Sequence, residues 1–221
     1  MEWLNYLPPL LEGAWVTVQL TVYSTILGGL LSFALGIGRL ASHNFIRLPS
    51  IAIIEVFRGT SLLVQLFWLY FALPILGDTL GVNLKLDPVM AGTLALSLNI
   101  GAYGAEVVRG ALQAVPQPQL EAATALNFSS RQTLWRVSLP QAVPEMMPSF
   151  GNLAVQNLKD TALVSLISLG DLAFRAEQVR NFTQDSTTVY TLLLLMYFGM
   201  ALVLAGLMKG LECVVGRWRY A

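Results

Sequence analysis

Two adjacent charged residues, Lys159 and Asp160, interrupt an otherwise uncharged stretch from 148 to 170. If that stretch crosses a membrane, each charge costs roughly 2.5 to 3.5 kcal/mol on insertion scales, so the pair indicates a function. A base and an acid together can bind the carboxylate and ammonium groups of a zwitterion. Because neighbouring residues on a helix point about 100° apart, only one of them readily faces a shared pathway. We favour Asp160.

Uncharged polar residues in the other apolar stretches are further candidates for lining such a pathway. They are Thr60, Gln65, Asn99, Tyr103, Gln156, Asn157, Thr161 and Ser165. Asn99 and Tyr103 are four residues apart, so on a helix they share a face and can line a cavity. Asn157 and Thr161 have the same spacing. The alternative is that these side chains only satisfy neighbouring helices.

Glu106 is the remaining pathway candidate, and it also allows a structural alternative for the charged pair. It follows an uncharged stretch and is predicted, in that alternative, to neutralise Lys159. Glu55 and Arg58 are one helical turn apart and are predicted to pair with each other. Ion pairs of this kind would stabilise the fold without contacting a substrate.

The composition indicates a membrane protein. Hydrophobic residues make up 55% of the 221 positions and charged residues only 12%, well below the usual quarter. The formal net charge is zero, so no basic field exists to attract nucleic acid. The single cysteine cannot form an internal disulfide, and no Cys/His cluster has the spacing of a metal site.

Five stretches are long and apolar enough to predict an all-α membrane protein with five transmembrane helices in a single domain of residues 1–221. A crossing of about 30 Å needs roughly 20 residues at 1.5 Å per residue. The predicted spans are 14–38, 59–77, 88–105, 148–170 and 186–208. The fourth is unusual because it contains the charged pair.

The distribution of Lys and Arg predicts the orientation of these spans. Basic residues concentrate on the cytoplasmic side of membrane proteins. With the N-terminus outside and the C-terminus inside, the inside segments contain Arg39, Arg47, Arg58, Arg109, Arg131, Arg136, Lys209, Arg217 and Arg219. The outside segments contain only Lys85, Arg175 and Arg180.

Small residues recur every fourth position in two of the spans. Gly28, Ser32 and Gly36 do so in the first span, and Gly206 and Gly210 in the fifth. Such spacing lets helix backbones approach closely, so we expect helix packing within the chain. A seam between two copies of the chain is the alternative.

The polar segment between the third and fourth spans is predicted to form a helix, a turn and a second helix over residues 116–140. Pro116 and Pro118 start the segment, and Glu121 favours the first turn of a helix. Asn127 can adopt the left-handed conformation that ends a helix. Ser130 is then placed to cap a second helix that runs toward Pro140.

This segment resembles the coupling signature of permease subunits in binding-protein-dependent, ATP-driven importers. The matching pattern is Glu121-Ala122-Ala123, three residues, Asn127, nine residues, Val137, one residue, Leu139-Pro140. The family usually has Gly where this chain has Asn127, and often Ile where it has Val137. Asn is the next-best residue for a left-handed turn, so the backbone requirement can still be met.

Two further segments are similar to the polar amino-acid branch of the same family. They are Glu-Val-Phe-Arg-Gly-Thr-Ser-Leu-Leu-Val-Gln-Leu at 55–66 and Leu-Lys-Asp-Thr-Ala-Leu-Val-Ser at 158–165. The resemblance implies a multi-pass permease of the bacterial inner membrane, in contact with lipid. It also implies a second permease chain, identical or homologous, two cytoplasmic ATPase subunits and an extracytoplasmic solute-binding protein.

The resemblance implies that the permease transmits force and does not hydrolyse ATP. The sequence contains no G-x-x-x-x-G-K-[ST] phosphate loop, so ATP and Mg are expected on the partner ATPase. Ala122 and Ala123 would leave room for a short helix in a groove on the ATPase, and Glu121 would anchor that helix by charge. The alternative is an ordinary cytoplasmic helical hairpin.

Two other classes of protein are less consistent with the sequence. An ion-coupled secondary transporter subunit could use Lys159 and Asp160 as a relay, but such proteins commonly contain two related halves, and no internal repeat is present. Its transport would persist without ATP hydrolysis. An intramembrane protease would need a nucleophile with its base or clustered metal ligands, and the chain has one histidine, His43, in a predicted loop.

Overall fold

The computed structural model describes residues 6–216, and in that part of the chain the regular structure is entirely helical. The α-helices, in chain order, are α1 (Leu7–Arg39), α2 (Asn44–Gly59), α3 (Leu62–Phe67), α4 (Leu73–Leu80), α5 (Pro88–Gln113), α6 (Gln117–Ala125), α7 (Ser130–Thr133), α8 (Leu139–Asp160), α9 (Leu172–Thr183) and α10 (Ser186–Gly216). Two π turns, Trp68–Ala72 and Leu134–Ser138, connect α3 to α4 and α7 to α8, and a 3-10 helix, Thr161–Ile167, follows α8. Arg217 and Arg219, used above for orientation, lie outside the described residues.

Helices α1 and α5 form the central packing interface of the fold. A Cβ atom on Gly28 would meet Ile100, and a Cβ on Gly36 would meet Ala105 and Val108. Residue numbers therefore rise together along both helices, which makes the pair parallel. The chain between them must return to the starting side, and α2, α3 and α4 provide that return. The packing interpretation of the first small-residue repeat is confirmed.

The second small-residue repeat does not pack within the chain. Gly206 and Gly210 lie on α10 with no neighbouring atom within 4 Å of an added Cβ. The expectation of helix packing at these two glycines within one chain was therefore wrong. The reason is that α10 contacts α8 and α9 through other faces, for example through Val189, which is fully buried.

Most of the predicted spans fall within longer helices. The first, third and fifth correspond to α1, α5 and α10, which extend past the predicted ends. Within residues 6–216, three helical segments qualify as membrane crossings by length and hydropathy: Leu7–Arg39, Leu62–Leu80 and Ser186–Gly216. The other two long helices contain charged residues, Glu106 and Arg109 in α5 and Glu145, Lys159 and Asp160 in α8.

The region between the first two spans, expected to be an inside loop, is mostly the helix α2. Ser50 and Ile54, four residues apart, form its buried stripe. Ser50 lies against Gly38, and Glu55 contacts Arg39, so successive turns of α2 meet the same end of α1. Helix α2 therefore crosses the ends of its neighbours and does not run alongside them. It ends at Gly59, and the next helix begins at Leu62, three residues after the predicted start of span two.

The helix that contains the start of the predicted fourth span begins earlier than residue 148, because Pro140 does not end the helical geometry. Helical geometry continues from Ser130 to Asp160 through the π turn that precedes Pro140. The Leu139 amide bonds to the Leu134 carbonyl, five residues back. A proline ring clashes with the carbonyl four residues before it, and the wider turn relieves that clash. The same device precedes Pro74, with the Leu73 amide bonding to the Trp68 carbonyl.

We predict that Gly36→Ala lowers the melting temperature of the purified permease. The added Cβ would lie 2.8 Å from both the Ala105 carbonyl oxygen and Val108 Cβ, atoms that cannot move without moving the α5 backbone. Overpacking of this kind costs about 1 to 3 kcal/mol. The matched control is Gly29→Ala on the same helix, where no atom lies within 4 Å of an added Cβ. Equal melting temperatures for the two variants in detergent would contradict the close α1–α5 contact.

Candidate functional site

A polar cavity of about 320 Å³ lies where the break between α2 and α3 meets α5 and α8. Its lining consists of Thr60, Ser61, Leu62, Asn99, Ile100, Tyr103, Leu153, Gln156, Asn157, Asp160 and Leu163. The Asn157 amide Nδ2 donates hydrogen bonds to Ser24 Oγ at 2.7 Å and Thr25 Oγ1 at 3.0 Å. Those two residues lie near the middle of α1, so the cavity lies near the middle of that helix. We refer to it as the polar cavity.

Asp160 is the only ionisable side chain other than Tyr103 in the lining of the polar cavity. The Gln156 amide Nε2 donates a 2.8 Å hydrogen bond to its Oδ1. Among the described residues, no hydrogen bond to Oδ2 occurs, so that oxygen remains available to a ligand. Lys159 is exposed and does not line the cavity. Only one of the two adjacent charges therefore lines the cavity, as their 100° offset predicts.

The two predicted same-face pairs have different outcomes. Asn99 and Tyr103 both line the polar cavity. Asn157 lines it as well, but Thr161 is fully buried elsewhere and donates to the Leu158 carbonyl at 2.6 Å. The expectation that Asn157 and Thr161 share a cavity face was wrong. Thr161 is the first residue of the 3-10 helix that follows α8, and its hydroxyl is turned back to a carbonyl of α8.

Two further polar candidates also lie outside the polar cavity and bond to nearby backbone. Ser165 donates to the Ala162 carbonyl at 2.7 Å. Gln65 Nε2 donates to the carbonyls of Phe57 at 2.8 Å and Thr60 at 3.2 Å. Both acceptors lie at the break between α2 and α3, where helical carbonyls lose their usual partners. Gln65 thus stabilises the break that provides one wall of the cavity.

Glu106 lies beside the polar cavity and binds three arginines. Arg39 Nη1 donates to its Oε1 at 2.6 Å, and Arg109 Nη2 donates to its Oε2 at 2.9 Å. Arg58 Nη1 lies 3.9 Å from the same Oε2. The predicted Glu106–Lys159 pair is absent from the described ion pairs, which corrects that alternative. The two side chains extend from different regions of α5 and α8.

Glu55 also has a different partner from the one expected. Its Oε1 accepts a 3.1 Å bond from Arg39, whereas Arg58 extends toward Glu106 and the ring of Tyr103. From the sequence, Arg39 and Arg109 contributed only to the predicted orientation of the spans, and Arg58 was also predicted to pair with Glu55. Glu106 and Arg109 are one helical turn apart, and this spacing was the sequence signal that could have predicted their ion pair.

The segment between α5 and α8 has the predicted helix, turn and second helix. Asn127 has φ of 58°, so the predicted left-handed turn is confirmed. Its cap was wrong by one residue: Ser129 Oγ accepts from the Gln132 amide, and the Gln132 side chain accepts from the Ser129 amide. This reciprocal arrangement is a capping box, which requires the glutamine three residues after the cap. Ser130 is the first helical residue.

The signature residues of this segment divide between surface and core. Glu121, Ala122 and Pro140 are exposed, whereas Ala123 is 3% exposed and Leu139 is 8% exposed. Leu139 packs with Val108 and Met146 in one hydrophobic cluster. Of the two alanines predicted to leave room for a groove on the ATPase, Ala122 is exposed and Ala123 packs inward. Leu126, at the end of α6, is 69% exposed and adds an apolar surface that sequence spacing did not indicate.

Comparison with known proteins identifies the family. The family described as the binding-protein-dependent transport system inner membrane component matches residues 14–213. The chain is 67% identical over 219 residues to the probable amino-acid ABC transporter permease protein y4tF of Sinorhizobium fredii, covering 99% of this chain and 92% of the relative. It is 34% identical over 182 residues to the L-cystine transport system permease protein TcyB of Bacillus subtilis, covering 81% and 75%.

The fold agrees with a solved structure titled as the crystal structure of an amino acid ABC transporter with histidines. The TM-score is 0.84 at 32% identity, covering 95% of each chain. Membership implies a separate ATPase and a binding protein as partners. This chain belongs to the binding-protein-dependent ABC transporter permeases, as a multi-pass inner membrane subunit in the polar amino-acid branch of that family.

Proposed function

We propose that this permease subunit carries a polar amino acid or amino-acid-like zwitterion through the polar cavity. The observation that supports this most directly is Asp160, an acid with one unoccupied carboxylate oxygen in a cavity near the middle of α1. Asp160 would bind the ammonium group of the substrate. Asn99, Gln156 and Tyr103 would provide further hydrogen bonds. The names of two similar permeases, for amino acids and for L-cystine, support this substrate class.

The proposed topology is five crossings with the N-terminus outside and the C-terminus inside. The crossings are α1, the α3–α4 segment, α5, α8 with the following 3-10 helix, and α10. Because α1 and α5 are parallel, both must start on the same side of the membrane. The two crossings made by α1 and the α3–α4 segment before α5 begins satisfy that requirement. The bias of Lys and Arg supports the orientation. Helix α2 then lies on the cytoplasmic side.

The proposed assembly contains two permease chains, identical or homologous, two cytoplasmic ATPase subunits and an extracytoplasmic solute-binding protein. ATP and Mg would bind to the ATPase subunits. The exposed apolar face of α10, which includes Phe198 and Val203, provides surface for lipid or the second chain. An ion-coupled mechanism is disfavoured because membership in this family implies a separate ATPase.

The proposed coupling surface consists of α6 and the turn at Asn127. Glu121, Ala122 and Leu126 are exposed on this surface, whereas Ala123 is buried. Ala123 packs inward, and the left-handed turn at Asn127 ends α6. The small side chain of Ala122 would let α6 lie close to the ATPase surface. Movement of the ATPase would then reach α8 through the continuous helix that begins at Ser130.

Replacing Asp160 tests the proposed function. In proteoliposomes with the ATPase and loaded binding protein, Asp160→Asn should lower the initial uptake rate by about 10- to 100-fold, because a hydrogen bond to a charged group contributes about 1.5 to 3 kcal/mol. The control Lys159→Gln changes the neighbouring residue outside the cavity and should stay within about twofold. Labelled L-glutamine, L-histidine, L-arginine and L-cystine serve as probes. Unchanged uptake by Asp160→Asn would exclude Asp160 from the pathway.

Replacing Ala122 tests the coupling surface. Ala122→Arg should prevent association with the ATPase, and therefore uptake, while leaving membrane insertion intact. Thr124→Arg is the matched control, because Thr124 is exposed on the same helix about 200° around from Ala122. Co-purification of the ATPase with tagged permease provides the measurement. Normal co-purification and uptake for Ala122→Arg would show that this face does not contact the ATPase.

A further inference from the structure

A cluster of five charged side chains lies between the polar cavity and the coupling segment. We call it the Glu106 cluster, and it consists of Arg39, Glu55, Arg58, Glu106 and Arg109. Its members come from α1, α2 and α5, and every ion pair is between 2.6 and 3.9 Å. Glu106 contacts all three arginines, whereas Glu55 contacts only Arg39. Glu106 therefore joins α5 to both α1 and α2, as Arg39 joins α1 to both α2 and α5, and only Glu106 of these two contacts Arg58 among the described ion pairs.

The charge balance of the cluster makes Glu106 difficult to replace. Three arginines oppose two glutamates, and the Glu106 side chain is only 18% exposed. Without its charge, Arg58 and Arg109 would have no acidic partner among the described residues, and three guanidinium groups would share one partly buried site. Like charges in such a site repel each other with little screening by salt.

Arg58 connects the cluster to the wall of the polar cavity. Its guanidinium carbon lies 5.6 Å from the centroid of the Tyr103 ring, a distance typical of a cation–π contact. Tyr103 lines the polar cavity opposite α8 and lies one helical turn before Glu106 on α5. Arg58 is thus held between the ring and the carboxylate.

The cluster also extends toward the coupling segment along α5. Arg109 donates from Nε and Nη2 to Glu106, at 3.0 and 2.9 Å, and from Nη1 to Gln113 Oε1 at 2.5 Å. Gln113 is the last residue of α5, and α6 begins four residues later. A continuous series of polar contacts therefore links Tyr103 to the end of the helix that leads into α6.

We propose that Glu106 is a positioning residue for transport, which fixes the Tyr103 wall of the polar cavity through Arg58. This proposal rests on the proposed function, because it assumes that the polar cavity lies on the transport pathway. Glu106 does not line the cavity, so it acts on the substrate only through Arg58 and Tyr103. The separate contact through Arg109 ties the same residue to the end of α5.

The first test measures uptake and ATP hydrolysis together in proteoliposomes containing permease, ATPase and loaded binding protein, with the four labelled amino acids named above as probes. Glu106→Gln should lower uptake at least tenfold while ATP hydrolysis stays within about threefold of wild type, so that more ATP is hydrolysed per molecule transported. Glu106→Asp should recover at least a third of wild-type uptake. Equal losses of uptake and hydrolysis per assembled complex would indicate a merely structural role and would overturn the proposal.

The matched control is Glu55→Gln, which removes the other glutamate of the cluster. Glu55 shares Arg39 with Glu106 but does not contact Arg58, and its side chain is 56% exposed. Exposed ion pairs contribute about 0 to 1 kcal/mol, so uptake should stay within about fivefold of wild type. A loss as large as that of Glu106→Gln would assign the effect to the charge of the whole cluster and not to the Arg58 connection, against the proposal.

A double-mutant cycle tests the connection to Tyr103 itself. Tyr103→Leu removes the ring, and Arg58→Gln removes the guanidinium group without removing Glu106. If Arg58 acts through the ring, the uptake of the double variant should equal that of the single variant with the lower uptake. Uptake equal to the product of the two single effects would overturn the proposal. Arg58 is partly exposed, so this cycle remains informative if Glu106→Gln does not fold.

Failure of this proposal can be distinguished from failure of the proposed function. If the wild-type complex takes up none of the four probes, the substrate class is wrong and the polar cavity loses its assigned ligand. If wild type takes up a probe and Asp160→Asn abolishes that uptake, the cavity is on the pathway. If the effects of Arg58→Gln and Tyr103→Leu on uptake multiply in that same preparation, the positioning role of Glu106 is rejected and the proposed function is retained.

Discussion

The close contact between α1 and α5 is the constraint on which the rest of this fold depends. Gly28 and Gly36 present no side chain to α5, and Ser32 Oγ donates its shorter hydrogen bond, of 2.7 Å, to the Gly28 carbonyl of its own helix. The two backbones can therefore approach each other over several turns. Because the helices are parallel, the chain must return to the side where α1 begins before α5 can start, and α2 to α4 form that return. That return creates the break at Thr60 and Ser61, which forms one wall of the polar cavity.

The same contact fixes where the functional side chains lie relative to each other. Asn99, Tyr103 and Glu106 extend from α5, and their depth follows from its register against α1. Asn157 joins α8 to α1 through Ser24 and Thr25, which brings Asp160 to the opposite side of the polar cavity. A polar cavity thus forms among helices whose main contacts are apolar. Its geometry depends on small residues that contribute no chemistry of their own.

The sequence was sufficient to predict helices at the charge-free stretches and the left-handed turn at Asn127, because both depend on local properties. Length and hydropathy determine whether a stretch can cross a bilayer, and few residues tolerate a positive φ. Helix α2 was missed because its interrupted hydropathy resembles that of a loop. Its buried stripe becomes apparent only when Ser50 and Ile54 are placed against α1 and α5.

The polar candidates could not be sorted by spacing alone. Gln65, Thr161 and Ser165 bond to backbone carbonyls of their own region, whereas Asn99 and Asp160 face the polar cavity. Choosing between these outcomes requires the orientation of each helix about its axis, which depends on tertiary packing. The partners of Glu106 raise the same problem, since Arg39 and Arg58 are distant from it in sequence. Only the crossing of α2 over α1 and α5 brings them together.

The π turn before Pro140 has a consequence for how insertions and deletions would act in this chain. A π turn contains one residue more than an α turn, so it offsets the faces of α7 and α8 by about 100°. Deleting one residue from 134–138 would restore ordinary helical geometry and rotate α7 relative to α8. The ring of Pro140 would then clash with the carbonyl four residues before it. The number of residues between 134 and 138 is therefore more tightly constrained than the identity of those residues.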